Sequence, residues 1–517
     1  MFASISSACV LGFDSMLVDV QVDVSAGFPT YTIVGLPDAA IQEAKERVRS
    51  AMKQAGLTFP DTRITVHLAP GDRRKEGAGF DLPMAIAIAM ASRALKSTTV
   101  LPLCIGELAL DGSVLPVSGT LSIVMFAKQL GYDAIIVPRG NAKEAALVPG
   151  IKVYSATNLQ AVISHCAGDT SLPIEPHLIP QADQVMSVDD LAAIKGHQVI
   201  KRALAVAAAG RHNTLLYGPP GSGKTILAKA LRGLLPPLDV DEMLEVTRLY
   251  SVAGLLTTQE PYITKRPFRQ PHHTSSVASI VGGGRIPRPG ELSLAHHGVL
   301  FFDEMPEFPR TVLEALRQPL EEQQITVARV EQAVTYPAAP LFIGSLNPCP
   351  CGYYGDPDRD CRCTPLQIQK YHKKLSGPLL DRMDIMCYVP RLQFDTLTQT
   401  GTDQRVVTEL CDRVQAALRR QQLRFRHTTI KANALIPHKA IDQYCLIDKL
   451  SLRLLRQAMQ VMQLSPRSYH RIVRLARTIA DLSDSEHITD VHVSEALQYR
   501  RPMFQTELVT QSLRTHP

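Results

Sequence analysis

Residues 217 to 225 read Tyr-Gly-Pro-Pro-Gly-Ser-Gly-Lys-Thr, which places glycines, a lysine and a threonine at the spacing G-x-x-x-x-G-K-T. In this pattern Gly218, Pro219, Pro220, Gly221, Ser222 and Gly223 form a loop whose backbone amides turn toward phosphate oxygens. Lys224 offers a cation to the β and γ phosphates, and Thr225 offers a hydroxyl to Mg2+. The apolar residues before and after the loop predict strand, loop and helix, and the helix amino terminus adds the positive end of its dipole. A second stretch, GVLFFDE at residues 298–304, predicts a buried strand ending in two carboxylates. Asp303 there suits the metal, and Glu304 suits the polarising of an attacking water. Asn347 closes another apolar run, LFIGSLNP, where it is placed to orient that water or simply to form a turn before Pro348. Arg382 lies between Asp381 and Asp384, a pattern that by itself also describes a salt-bridged surface residue.

Four of the ten cysteines cluster in CPCGYYGDPDRDCRC as two C-x-C pairs, Cys349 with Cys351 and Cys361 with Cys363. Four thiolates on a loop too polar to fold by burial suit a tetrahedral Zn2+ site; the alternative is a turn carrying reduced thiols. The other six are scattered singly, too dilute for a disulfide scaffold. Two histidine pairs, His272-His273 and His296-His297, are expected to hydrogen-bond within loops rather than bind metal. Neighbouring side chains diverge, and no carboxylate stands at ligand spacing.

The elements that must hold these groups divide the 517-residue chain into an α/β region at 1–168, a proline-punctuated linker at 169–186, alternating strands and helices around the phosphate loop at 187–390, and a helical region at 391–517. The longest charge-free apolar run, Leu82 to Ala91, is well short of the roughly 18 residues a membrane span needs. The amino terminus lacks a basic segment ahead of an apolar one, so the expectation is a cytoplasmic chain with no membrane partner. A net charge of +6 permits an acidic polymer as partner without arguing for one. Lys265, Arg266, Arg285 and Arg288 fall in a glycine- and proline-rich segment expected to project, and Arg329 falls in an alternating segment expected to be a hairpin. Cations on such loops grip a DNA backbone without reading bases, or are merely solvated.

Taken in order, GPPGSGKT, GVLFFDE, SLNPCPCG and SGPLLDRMD resemble the AAA+ ATPases of the magnesium-chelatase-like group, and in detail the ComM (YifB) family. The resemblance extends to SPRSYHRIVRLARTIADL near the carboxyl end. It implies an α/β chain with an N-terminal Lon-protease-like (ribosomal S5 domain 2-like) α+β domain, an AAA+ P-loop core and a C-terminal helical lid. It further implies ATP and Mg2+ as ligands and a homo-hexameric ring. Arg382 would be an arginine finger on a neighbour's ATP, and Arg467 would be sensor 2, with Arg471 as the alternative. The activity implied is a helicase-like motor that promotes branch migration of recombination intermediates in natural transformation, on single-stranded and branched DNA with little sequence preference.

Within 1–168, DRRKEGAGFDLPMAIAIA and GELALDGSVLPVSGTLSIVM are similar to the proteolytic domain of Lon, whose chemistry is a Ser-Lys dyad. The matching positions here are Gly77 and Leu121, so the resemblance implies the fold without proteolysis. Proteolysis would need a different pair, for instance Ser118 with Lys128 or Lys75, to meet by coincidence. The rival activities are a magnesium-chelatase subunit, an ATP-dependent protease and a non-translocating switch.

Overall fold

The computed structural model describes residues 1–96, 101–181, 189–284, 287–328, 333–356, 358–392 and 404–500. The amino-terminal region is built on two sheets. The first takes β1 (Phe2–Leu11), β2 (Asp14–Ser25), β3 (Thr30–Val34) and β4 (Arg63–Ala69) in the order β1-β2-β4-β3, with only the β3/β4 pair parallel. Alternation in β2 sends Met16, Val18, Val20 and Val22 inward. The apolar run after Phe80 is a core helix, Asp81–Ala91, buried on nearly every side. Its one charge, Asp81, is neutralised by Arg47, whose Nε donates to it at 2.6 Å.

The second sheet holds β5 (Leu103–Cys104), β6 (Ala134–Pro138), β7 (Lys152–Ala156) and β8 (Ile174–Glu175) in the order β8-β7-β6-β5. The strand β8 falls within the stretch whose prolines suggest a linker, and it pairs antiparallel with β7.

The central sheet carries the chemistry. Its strands are β9 (Thr214–Tyr217), β10 (Phe268–Arg269), β11 (Val299–Phe302), β12 (Leu341–Leu346) and β13 (Ile385–Tyr388), all parallel in the order β10-β11-β12-β9-β13. Every residue of β11 and β12 is buried, as expected of strands covered on both faces. Parallel pairing brings the loops that follow β9, β11 and β12 to one edge, where such sheets bind ligands. Asn213 and Asp384, which precede β9 and β13, mark the opposite edge; the Asp384 amide donates to the Asn213 carbonyl at 2.8 Å.

The cation-rich segment before β11 projects less than its glycines and prolines suggest. It supplies the edge strand β10, then folds back as helix Val277–Val281, the short pair Gly282–Gly283 with Arg288–Pro289, and helix Glu291–Leu294. The expected hairpin is present as Gln324–Ala328 with Ala333–Pro337. Its Val334 lies so close to Gly12 that a Cβ there would sit 1.9 Å from Val334 Cγ1, and this contact joins the hairpin to the amino-terminal region. Arg248 makes a second junction. Its guanidinium stacks 3.9 Å from the Phe13 ring centroid, and its Nε donates to Ser122 Oγ at 2.9 Å.

Helices Gln404–Phe425, Lys449–Val461, Pro466–Leu482 and Asp490–Gln498 make up the carboxyl region. A buried polar knot fixes them: Asp481 accepts hydrogen bonds from Arg424, Arg477 and Asn433. The knot satisfies a carboxylate that burial alone would penalise by several kcal/mol, on the order of the cost of an unpaired buried charge. His212 ties this region to the sheet, contacting Thr478 Oγ1 at 2.7 Å and Asp384 Oδ2 at 3.2 Å. No described helix is long and apolar enough to cross a membrane.

Candidate nucleotide site

Each glycine of the phosphate loop answers a different demand. Gly218 runs against β13, where a Cβ would stand 2.2 Å from the Val389 carbonyl oxygen. Gly221 and Gly223 adopt φ of +75° and +88°, which side chains disfavour, and a Cβ on either would meet nothing within 4 Å. The loop therefore opens onto free space at Gly221 and Gly223, and the helix Lys224–Ala230 begins directly behind it.

Lys224 is buried, its Nζ donating to the Gly218 carbonyl at 2.8 Å, the Pro219 carbonyl at 2.9 Å and Asn347 Oδ1 at 3.1 Å. Across from it Thr225 Oγ1 donates to Asp303 Oδ2 at 2.9 Å. Asp303 is held from its other oxygen by Ser345 Oγ at 2.5 Å, and the same hydroxyl accepts the Glu304 amide at 3.0 Å. Ser345 is thus a positioning residue that motif reading misses; its only signal is a lone hydroxyl inside an apolar strand. Glu304 takes φ +51°, a costly conformation for a residue with a side chain. The end of β11, the Ser345 bond and the short helix Met305–Glu307 hold it there.

The donor set fits a nucleoside triphosphate with Mg2+. Lys224 supplies a cation, Thr225 and Asp303 supply paired oxygens, and Ser222 Oγ is buried at the loop with no partner among the described residues. Burial pushes the Lys224 ammonium down to about 8, against the pull of Asp303 and Glu304 in the other direction. Below that pH the lysine is already charged for phosphate; above it, binding must first take up a proton. Nucleotide affinity is therefore expected to fall as pH rises past 8, approaching about tenfold per pH unit. Titration with a fluorescent nucleotide between about pH 7 and 9.5 checks this, and a flat profile would contradict it.

Family comparisons bear on this geometry. Residues 190–397 match the model described as magnesium chelatase, subunit ChlI; residues 20–141 match subunit ChlI of Mg-chelatase, and residues 406–500 match its C-terminal model. Competence protein ComM of Haemophilus influenzae is 40% identical over 504 residues, 96% of this chain and 97% of that protein. The chain belongs to the ComM family of magnesium-chelatase-like proteins. The uncharacterized protein YifB of Escherichia coli is 40% identical over 499 residues, 96% of each chain. A Lon protease of Halothermothrix orenii is 30% identical over 142 residues, 26% of this chain and 18% of that one. Membership in a magnesium-chelatase-like AAA+ family implies nucleotide and Mg2+ use, in agreement with the donor set above.

The arginines that the family resemblance assigns to catalysis are at the other edge of the sheet. Arg382 precedes β13 and donates from Nη1 to the Pro378 carbonyl at 2.8 Å and from Nη2 to Glu321. Arg467, at the start of helix Pro466–Leu482, reaches the same Glu321 at 3.5 Å. A four-residue strand of about 13 Å separates this cluster from the phosphate loop. Arg467 thus pairs with Glu321 at the far edge, not with a residue of the phosphate loop, in this structure. Arg471 is tied to Asp384 at 2.8 Å; burial would raise that carboxyl, but Arg471 and His212 outweigh it and hold it well below the usual carboxylate range. Arg467 is two-thirds exposed, which leaves it the more available of the two.

Among the expected DNA contacts, Arg266 is withdrawn. Its guanidinium is nearly buried and donates to the Pro236, His297 and Pro237 carbonyls and to Glu242, so it braces the loops around β11. Lys265 and Arg288 are exposed, whereas Arg285 and Arg329 lie outside the described residues. The second histidine pair also departs from expectation. His297 adopts φ +55°, which folds its ring back to 3.8 Å from that of His296, and both Nε2 atoms meet Glu245 Oε2, at 3.1 and 2.7 Å. A carboxylate is thus present after all, brought from helix Val240–Ala253. His296 Nδ1 accepts the Ala339 amide, so its Nε2 carries the proton donated to Glu245, and burial lowers the imidazole pKa to about 4.

At the positions matching the Lon dyad, Gly77 has no side-chain nucleophile and Leu121 is fully buried. Lys75 is turned to the Pro70 carbonyl, and Lys128 Nζ lies over Gly150. The four clustered cysteines are free thiols that converge on one point.

Proposed function

We propose that the chain is the protomer of a homo-hexameric, ATP-driven ring that moves DNA and promotes branch migration of recombination intermediates in natural transformation. The observation that carries this reading is the division of the hydrolytic machinery between two edges of one sheet. Lys224, Thr225, Asp303, Glu304 and Asn347 stand at the carboxyl edge, while Arg382 and Arg467 stand at the amino edge. A second copy, set edge to edge, completes each site.

The chemistry follows from the contacts. Lys224 donates to the carbonyls of its own loop and to Asn347. A γ-phosphate that draws Lys224 away releases Asn347 to align a water, which Glu304 then polarises. Mg2+, when bound through Thr225 and Asp303, supplies charge neutralisation for the phosphates. Arg382 and Arg467 share the single carboxylate of Glu321 until a neighbour's triphosphate, with its greater negative charge, competes for them. The relative named for competence, together with exposed Lys265 and Arg288, favours DNA as the load. Gly77 and Leu121 speak against proteolysis.

The test is strand exchange on a three-stranded branched DNA with ATP, run beside Lys224→Ala. Exchange that requires ATP and is lost in Lys224→Ala is expected. ATP-dependent DNA binding with no strand movement would replace the motor by a switch, and ATP-dependent Mg2+ insertion into a porphyrin without exchange would favour a chelatase subunit.

A further inference from the structure

The loop from Cys349 to Cys363 should not hold one shape by burial. Among its described residues only Cys349 and Gly352 are buried, and most of the remainder are charged residues, glycine or proline. Yet its four sulfurs converge. Cys349 Sγ lies 3.3 Å from Cys351 Sγ and 3.6 Å from Cys361 Sγ, Cys351 and Cys361 are 3.6 Å apart, and all four sulfurs lie within 4.8 Å of one another. Thiolates around a tetrahedral Zn2+ at about 2.3 Å sit about 3.8 Å from each other, inside this range. Backbone amides are aimed at the sulfurs as well: Tyr354 N donates to Cys349 Sγ at 3.3 Å and Cys363 N to Cys361 Sγ at 3.4 Å. Such donors stabilise thiolates rather than thiols. Gly352 at φ +86° and Gly355 at φ +75° make the tight turn that brings the first pair round.

We propose that Cys349, Cys351, Cys361 and Cys363 bind one Zn2+ in a closed structural site, and that this site braces the nucleotide pocket. Four protein ligands leave no open position, so the ion serves structure and not catalysis. The bracing follows from two contacts. Gly352 packs on the phosphate loop so tightly that a Cβ there would fall 2.6 Å from Pro220 Cδ. Cys349 also lies two residues beyond Asn347, the partner of Lys224. Farther along the loop, Arg391 anchors Asp356 at 3.6 Å. A metal that fixes the loop therefore fixes both Pro220 and Asn347.

The metal claim stands independently, while the bracing claim rests on the phosphate loop binding nucleotide. Elemental analysis of the purified full chain should find about one zinc per chain, retained in Lys224→Ala. Cys361→Ser should lose the metal and bind a fluorescent ATP analogue roughly tenfold more weakly, although no nucleotide-contacting residue has changed. If Cys361→Ser fails to fold, releasing zinc from the native chain with a mercurial gives the same two readouts. Absence of stoichiometric zinc, or iron in its place, overturns the site. Zinc loss with unchanged nucleotide affinity overturns the bracing, and zinc retention in a chain that binds no nucleotide leaves the metal site standing while removing the nucleotide reading.

Discussion

Arg382→Ala is expected to lower ATP turnover by about 1,000-fold or more while leaving nucleotide affinity within a few fold of the parent. The size of the effect reflects the charge that accumulates on the γ-phosphoryl oxygens in the transition state, where a guanidinium acts in a site from which water is excluded. Its selectivity for turnover follows from position: Arg382 stands at the amino edge of the sheet and makes no contact with the phosphate loop of its own chain. Single-turnover hydrolysis measured beside equilibrium nucleotide binding separates the two effects. Equal loss of binding and turnover would instead indicate that the substitution disturbs the fold around Glu321.

The second large effect is expected at Glu304. Glu304→Gln keeps the shape of the side chain and the amide bond to Ser345, so Asp303 and Thr225 stay in place and nucleotide still binds. Turnover should fall by roughly 1,000-fold, because a neutral amide does not polarise water as a carboxylate does. Lys224→Ala should behave differently and lose binding itself, since it removes the only cation within the loop. Finding the same defect in both variants would undo the division of roles between grip and hydrolysis.

Much of the carboxyl-edge site is legible in the sequence because its chemistry demands contiguous residue types. Gly221, Gly223, Lys224 and Thr225 must follow one another for a loop to turn its amides onto phosphate. Asp303 and Glu304 must end an apolar strand to face that loop. The Ser345 role is hidden, because a serine in a strand has no signature until tertiary packing brings it beneath Asp303. The location of Arg382 at the far edge depends on β13 pairing parallel to β9, a long-range choice that local pattern does not encode. Arg266 reads as a loop cation but is recruited by four acceptors distant in the chain. The meeting of His296 and His297 at Glu245 depends on one backbone angle at His297, and adjacency alone predicts the reverse. In each case the chemistry of the side chain is readable while its partner, set by the fold, is not.

The claim on which everything rests is that each nucleotide is hydrolysed by two chains together. Mixing Arg382→Ala with Glu304→Gln tests this most directly. Each variant alone should be nearly inactive, but in a mixed assembly some sites combine an intact Glu304 from one chain with an intact Arg382 from its neighbour. ATP hydrolysis should then rise well above that of either parent, to a substantial fraction of the unmodified rate. A mixture no more active than its parents, under conditions where the chains are shown to exchange, would contradict the account.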